Sequence, residues 1–417
     1  MQKSKTLWQV LKDVRGNRRA CVVTEPMWAI PNQLVLPYVS LYMAAIGLSD
    51  AQIGLVASLG LVSELFWGLF SGAVTDKLGR RKSMLVFGLL AWVIPCILWA
   101  AAQGFIYFAV AILINGMWRV TGNSFTCMIL EEGEQDQLVS LFAIFNLIGL
   151  IAGFIAPVAG MCIDRFTLVP AMRFIYVLSM LLMGGKFIIQ FRLTHESTIG
   201  QERVIHCKNK SLFTLTFEGW KAFVAALKRK RLLLGIILMS LLTCYNIVLS
   251  TFWPLYVSQT YEISDALMSA FPFVKSLIAL GAYLFLVPKI RLSSPRIPLL
   301  AAFVTQIMGL IMLTAMSKWT GMLWAVFVSA GCEALAAALI GPLSESIMAV
   351  SIPGRERAQI NGLIYGLIIL LSIPAGGLAG FLSQMNRMFP LVFCILLIVA
   401  ESIVAVYLVA HINRAKQ

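Results

Sequence analysis

Apolar runs of about 20 residues recur along nearly the whole chain, each broken by a short stretch of Gly, Pro or charge; a helix that long crosses the hydrocarbon core of a bilayer. The runs predict spans at 23–46, 51–75, 83–103, 105–129, 139–161 and 170–191, then at 232–257, 265–287, 297–316, 320–348, 358–383 and 389–411. The polar stretch 192–231 is the one long connection and separates six spans from six. The expected fold class is an all-α membrane protein of twelve transmembrane helices in two pseudo-symmetric six-helix bundles, 23–191 and 232–411. Residues 1–22 read as a cytoplasmic amphipathic segment and 412–417 as a cytoplasmic tail. The linker 192–231 contains Phe213, Phe217, Trp220, Phe223, Val224 and Leu227 at helical spacing, an interfacial amphipathic helix expected to lie on the inner leaflet.

The halves resemble copies at a shift of roughly 212–217 residues. Trp8, Leu11 and Arg18-Arg19 match Trp220, Phe223 and Lys230-Arg231, and Gly149 with Pro157 matches Gly366 with Pro374. Ser49-Asp50-Ala51 matches Ser264-Asp265-Ala266, where Ser or Asp can cap the incoming helix.

Composition agrees: 59% of residues are hydrophobic, 12% charged, and the mean hydropathy is +0.86. The net charge of +14 could suggest nucleic-acid binding, but most of the 33 lysines and arginines fall in segments assigned to one side. That asymmetry places both termini in the cytoplasm of a multi-pass inner-membrane protein whose basic clusters face lipid headgroups, with no nucleic-acid partner. The eight cysteines show no ligand spacing, so no metal and no disulfide framework is expected. His195, His206 and His411 lie in loops or at an end, and no phosphate-binding loop exists, the nearest string being Gly184-Gly185-Lys186-Phe187. An enzyme is not expected, nor any cofactor beyond protons or another coupling ion; a monomer is expected.

Between the second and third spans stands Gly72-Ala-Val-Thr-Asp76-Lys77-Leu-Gly79-Arg80-Arg81-Lys82. Gly79 permits a tight turn, Asp76 can accept from backbone donors at a helix end, and the arginines can pair with carboxylates. This loop resembles the G-x3-D-x2-G-R-[RK] loop of the major facilitator superfamily, which implies that superfamily's fold and makes Gly72, Asp76, Gly79, Arg80 and Arg81 a cytoplasmic gate loop. The acidic stretch from Glu131 to Asp136 is expected to pair with Arg80 or Arg81. The counterpart from Lys289 to Arg296 keeps only its positive charge, facing Glu345. Gly153 to Gly160 is similar to a motif of drug–proton antiporters, with Ala156 in place of its glycine. Signatures of sugar porters and peptide symporters are missing, so no subfamily follows.

Four charges stand near mid-span: Glu64, Arg119, Lys275 and Glu333. An unpaired charge at a helix centre costs roughly 2.5–3.5 kcal/mol, so these should face inward and pair, Glu64 with Arg119 and Lys275 with Glu333. Either they hold helices together, or members of the pairs bind a polar solute or exchange protons. Asn115 and Asn123 extend the face of Arg119 at a spacing of four. Glu25, Trp28 and Asn32 share a face of the first span, which Pro26, Pro31 and Pro37 should bend. Asn246 with Trp253 and Asn361 with Tyr365 could add hydrogen bonds and stacking surface. Lys186 is expected to snorkel to the cytoplasm, and its repeat counterpart Glu401 has no evident role.

A secondary transporter working by alternating access accounts for the repeat, the loop and the buried charges together, its partner a small-molecule substrate. A polar organic solute such as a sugar or metabolite is the reading of Arg119 and its asparagines. Efflux of amphipathic drugs and a non-transporting membrane sensor are the alternatives.

Overall fold

The computed structural model describes residues 14–131, 138–218, 220–286, 296–316, 323–351 and 357–414. The N-terminal Trp8 and Leu11, the acidic positions 132–136, and the basic loop from Lys289 to Arg291 lie outside them, as do the side chains of Asn361 and His411. Among the described residues the regular elements are helical throughout. Eleven helices are long and apolar enough to cross a membrane: Asp50–Leu78, Arg80–Ala100, Phe105–Glu131, Leu141–Phe166, Leu168–Leu193, Lys230–Thr260, Asp265–Leu286, Ile297–Ala315, Leu323–Glu345, Gly362–Met385 and Phe389–Ala410.

The stretch of the expected first span is helical in consecutive short pieces: Gly16–Thr24, Pro26–Val35, the 3-10 turn Leu36–Tyr38 and Val39–Ala45. The divisions fall beside Pro26 and Pro37, which lack the N–H that would continue the ladder. Similar interruptions mark other spans. A π turn at Leu89–Val93 precedes Pro95, and the segment from Leu138 to Phe166 breaks ahead of Pro157. The fourth span divides at Gly116 and Met117 into Phe105–Asn115 and Trp118–Glu131.

Asp50–Leu78 opens with a full capping box, Ser49 accepting from the Gln52 N–H while the Gln52 side chain accepts from the Ser49 N–H. The repeat counterpart behaves differently: Ser264 makes no side-chain cap and leads into a 3-10 turn, Asp265–Ser269. Asp50–Leu78 also makes the most extensive contact among the described residues, against Arg357–Met385. At this crossing glycine meets glycine. A Cβ on Gly54 would collide with the Gly376 carbonyl oxygen and lie 2.8 Å from the Gly380 Cα, so only bare backbone lets the helices approach this closely. Ser58 donates to the Ile373 carbonyl at 2.7 Å, Ser383 donates to Asp50 at 2.6 Å, and Arg387 lies 3.4 Å from Asp50.

The linker is helical over Thr198–Cys207, Leu212–Phe217 and Trp220–Leu227. Phe213 packs edge-on against Phe70 at 5.4 Å. Phe223, expected on a lipid-facing stripe, is buried with Leu232, Ile236 and Ile364, because the last linker helix turns that side toward the helices it precedes.

Candidate functional site

Two ion pairs of opposite sense stand within the expected spans. Glu64 lies on Asp50–Leu78, and Arg119 is the second residue of Trp118–Glu131, just after the break at Gly116. Gly116 rests on Ser63, where a Cβ would come within 2.6 Å of the serine Cβ, so the missing side chain brings the two helices together. Arg119 Nη2 and Nε then donate to one oxygen of Glu64 at 2.6 and 3.0 Å, and the guanidinium lies 4.3 Å over the Trp118 ring. Tyr365, from Arg357–Met385, is within electrostatic range of Arg119.

In the second pair Lys275, on Ala270–Gly281, meets Glu333 from Leu323–Ser351. The Lys275 ammonium lies 4.8 Å over the Trp253 indole, repeating the cation-on-indole arrangement of the first pair. About a quarter of each side chain stays accessible in both pairs, unlike the closely enclosed pair of Lys186 and Glu25. Lys275 and Glu333 form part of the wall of a cavity of about 580 Å³, together with Gln33, Asn246 and Trp253, and its remaining lining is largely apolar, Leu249 and Phe271 included.

The other expected site residues are dispersed. Asn123 lies one turn beyond Arg119 in the same helix and keeps its face, whereas Asn115 does not, because the helix is broken between Asn115 and Arg119. Asn115 donates to the Ala91 carbonyl at 2.8 Å; Ala91 lies four residues before Pro95, which has no N–H to offer it. Asn123 donates to Thr75 at 3.1 Å, one turn before Gly79. Asn32 is half-buried in the first span. Trp28 packs edge-on against Trp92 at 5.8 Å and borders a smaller cavity of about 140 Å³ with Glu25 and Lys186. Lys186 does not snorkel: it is buried and donates to Glu25 at 2.9 Å, which also gives Glu25 its role. Gln33 and Tyr283 line the large cavity without having been singled out; a mid-span amide next to Asn32 was the available signal for Gln33.

The loop around Gly79 is a closed network. Gly79 ends Asp50–Leu78 at φ 86°, a conformation that favours glycine, and a Cβ there would lie 2.6 Å from a Glu196 oxygen. Arg80 is buried and donates to Asp76 at 2.9 Å and to Glu131 at 2.9 and 3.0 Å. Arg81 donates to the Phe191 carbonyl at 2.8 and 2.9 Å and covers the Phe191 ring. The sequence reading gave Asp76 the backbone donors at the helix end; Glu196 takes them instead, accepting from the N–H groups of Arg80 and Arg81 at 2.7 and 3.0 Å. Asp76 lies one turn before Arg80, where its carboxylate meets the guanidinium. Ser197 donates to Glu131, tying the start of the linker to the same network. Gly72 has open space where a side chain would go.

The family model described as Major Facilitator Superfamily matches residues 29–366. The uncharacterized MFS-type transporter YqjV of Bacillus subtilis (strain 168) is 24% identical over 157 residues, so the match spans 36% of this chain and 37% of that relative. Among solved structures, the nucleoside transporter NupG superposes with a TM-score of 0.69 at 17% identity, over 95% of this chain and 99% of the other. The human organic anion transporter MFSD10 (TETRAN) gives 0.61 at 15% identity, over 94% and 100%. A POT family transporter in complex with 5-aminolevulinic acid gives 0.68 at 13% identity, over 95% and 96%. At these identities the likeness carries the fold alone.

Proposed function

The chain belongs to the Major Facilitator Superfamily, and from that premise we propose that it is a secondary active transporter, moving a small organic solute across the cytoplasmic membrane by alternating access with protons as the coupling ion. In this reading twelve spans form two six-helix bundles, 23–191 and 232–411, joined by the cytoplasmic linker 192–231, with both termini in the cytoplasm. The glycine crossing of Asp50–Leu78 with Arg357–Met385 is then the closed periplasmic end, and the network around Arg80 ties helices together on the cytoplasmic side.

The observation that carries the reading is the cavity of about 580 Å³ with Lys275 and Glu333 in its wall. Its size suits one small organic molecule. A solute carboxylate, phosphate or hydroxyl would compete with Glu333 for Lys275, and its apolar body would rest on Trp253 and Phe271. An anionic solute that claims Lys275 leaves Glu333 without its counter-charge, and a proton taken by Glu333 restores neutrality. That exchange would couple solute to protons. The first pair, which is absent from the cavity wall, holds Asp50–Leu78 to Trp118–Glu131.

The largely apolar lining favours a second reading, export of amphipathic compounds held by shape and stacking with little demand on the ion pair. Thermal-shift screening of the purified protein against metabolite and drug panels at two pH values separates the two. A hit lost in Lys275→Ala supports the polar solute; one kept in Lys275→Ala and lost in Phe271→Ala supports export. A hit that depends on Arg119 alone moves the site to the first pair.

A further inference from the structure

Glu401 stands at mid-helix in Phe389–Arg414 and is fully buried. Neither of its carboxyl oxygens has a hydrogen-bond partner, and no ion pair among the described residues includes it. The internal repeat sharpens the anomaly. Its counterpart Lys186 is neutralised by Glu25, whereas the same shift of 215 residues carries Glu25 onto Ser240, whose hydroxyl donates to the Ile236 carbonyl. The second half keeps an ionisable group at this position and lacks its counter-charge.

Three helices pack against Phe389–Arg414: Lys230–Thr260, Arg296–Ala315 and Arg357–Met385. The first contributes Tyr245, which is within electrostatic range of Glu401, of Glu333 and of Cys394, and beside Gln306 from the second. The third adds no charged group acting on Glu401. Tyr245 and Gln306 are also buried, and the Tyr245 hydroxyl and Gln306 Oε1 are likewise without partners. The unsatisfied atoms therefore comprise two carboxyl oxygens, one amide oxygen and one hydroxyl. Only the hydroxyl carries a hydrogen to donate. A proton on Glu401 supplies a second donor and removes an uncompensated charge from an apolar interior.

We propose that Glu401 is a proton-binding site apart from the solute cavity, its carboxylate taking up one proton and standing as a neutral acid among the helices that enclose it. Protonation forms one O–H bond and turns the carboxylate into a neutral acid, with no other reactant. The inference rests on the transport reading only for the use made of that proton.

Infrared difference spectra of the full chain in lipid nanodiscs, recorded across a pH series without any solute, test the site. A protonated carboxylic C=O band is expected at neutral pH. It should vanish completely in Glu401→Gln, whose neutral amide preserves the shape and the melting temperature, and shift in frequency in Glu401→Asp. A band indifferent to both substitutions overturns the proposal. So does a band abolished by sodium at constant pH, which would make this an alkali-cation site. Because no solute is present, failure here leaves the cavity reading intact, and a screen without hits leaves Glu401 untouched.

Discussion

Adding one methyl group at Gly54 tests what holds one end of the molecule shut. In an unconstrained helix Gly→Ala stabilises by about 0.8–1 kcal/mol. Here the new Cβ would lie 2.8 Å from the Gly380 Cα and 2.9 Å from its nitrogen, in addition to the collision with the Gly376 carbonyl. All three atoms are helical backbone, with no rotamer through which to yield, so the two helices must separate by something like the shortfall from normal contact. Overpacking of this kind costs about 1–3 kcal/mol, which outweighs the propensity gain and falls only on the state in which the crossing is closed. The closed-to-open ratio should drop by about fivefold to somewhat over a hundredfold. A single cysteine at Ala337, in the cavity wall, reports the change through its rate of modification by a membrane-impermeant maleimide added on the side of Asp50. Gly54→Ala should raise that rate at least severalfold, while Gly281→Ala, where a Cβ meets nothing within 4 Å, leaves it unchanged. An unchanged rate in a folded Gly54→Ala protein would refute the idea that this crossing is the seal.

Other consequences concern the charge networks. Arg80→Ala strips Glu131 and Asp76 of a buried partner and should destabilise the protein by about 3–5 kcal/mol, seen as a lower melting temperature in detergent. Arg80→Lys should recover only part of the loss, since one ammonium cannot span both carboxylates as the guanidinium fork does; full recovery would contradict the network. Gly79→Ala, at φ 86° and against Glu196, should cost about 1–3 kcal/mol by the same assay. For the buried Lys186–Glu25 pair, a double-mutant cycle with Lys186→Met and Glu25→Gln should give a coupling of about 0.5–3 kcal/mol, and additive single effects would show that the two side chains do not depend on each other.

Much of this architecture was legible as sequence because the bilayer imposes it. A span must be apolar for about 20 residues, and a charge within it must find a partner. Those constraints anticipated the pairs of Glu64 with Arg119 and Lys275 with Glu333, and the contact of Arg80 with the acidic end of its neighbouring helix. They could not say which pair borders a cavity, because that depends on how helices far apart in sequence lean on one another. Periodicity misled at Asn115, since an unbroken helix through Gly116 was assumed and the break turned the amide toward Ala91. Lys186 misled for a related reason: a lone cation near a helix end reads as snorkelling until Glu25, distant along the chain, is placed beside it. Glu196 was passed over because the linker was read as a connection, although it holds the backbone donors assigned to Asp76.

The most direct test of the central claim is flux. With the strongest hit from the solute screen, uptake into proteoliposomes under an imposed proton gradient should be driven by the wild-type chain, lost in Lys275→Ala and Glu333→Gln, and retained at least in part in Asn115→Ala. Gradient-independent flux that survives loss of Lys275 and disappears in Arg119→Ala would contradict the account, placing the solute on the first ion pair and leaving the cavity of the second without its assigned role.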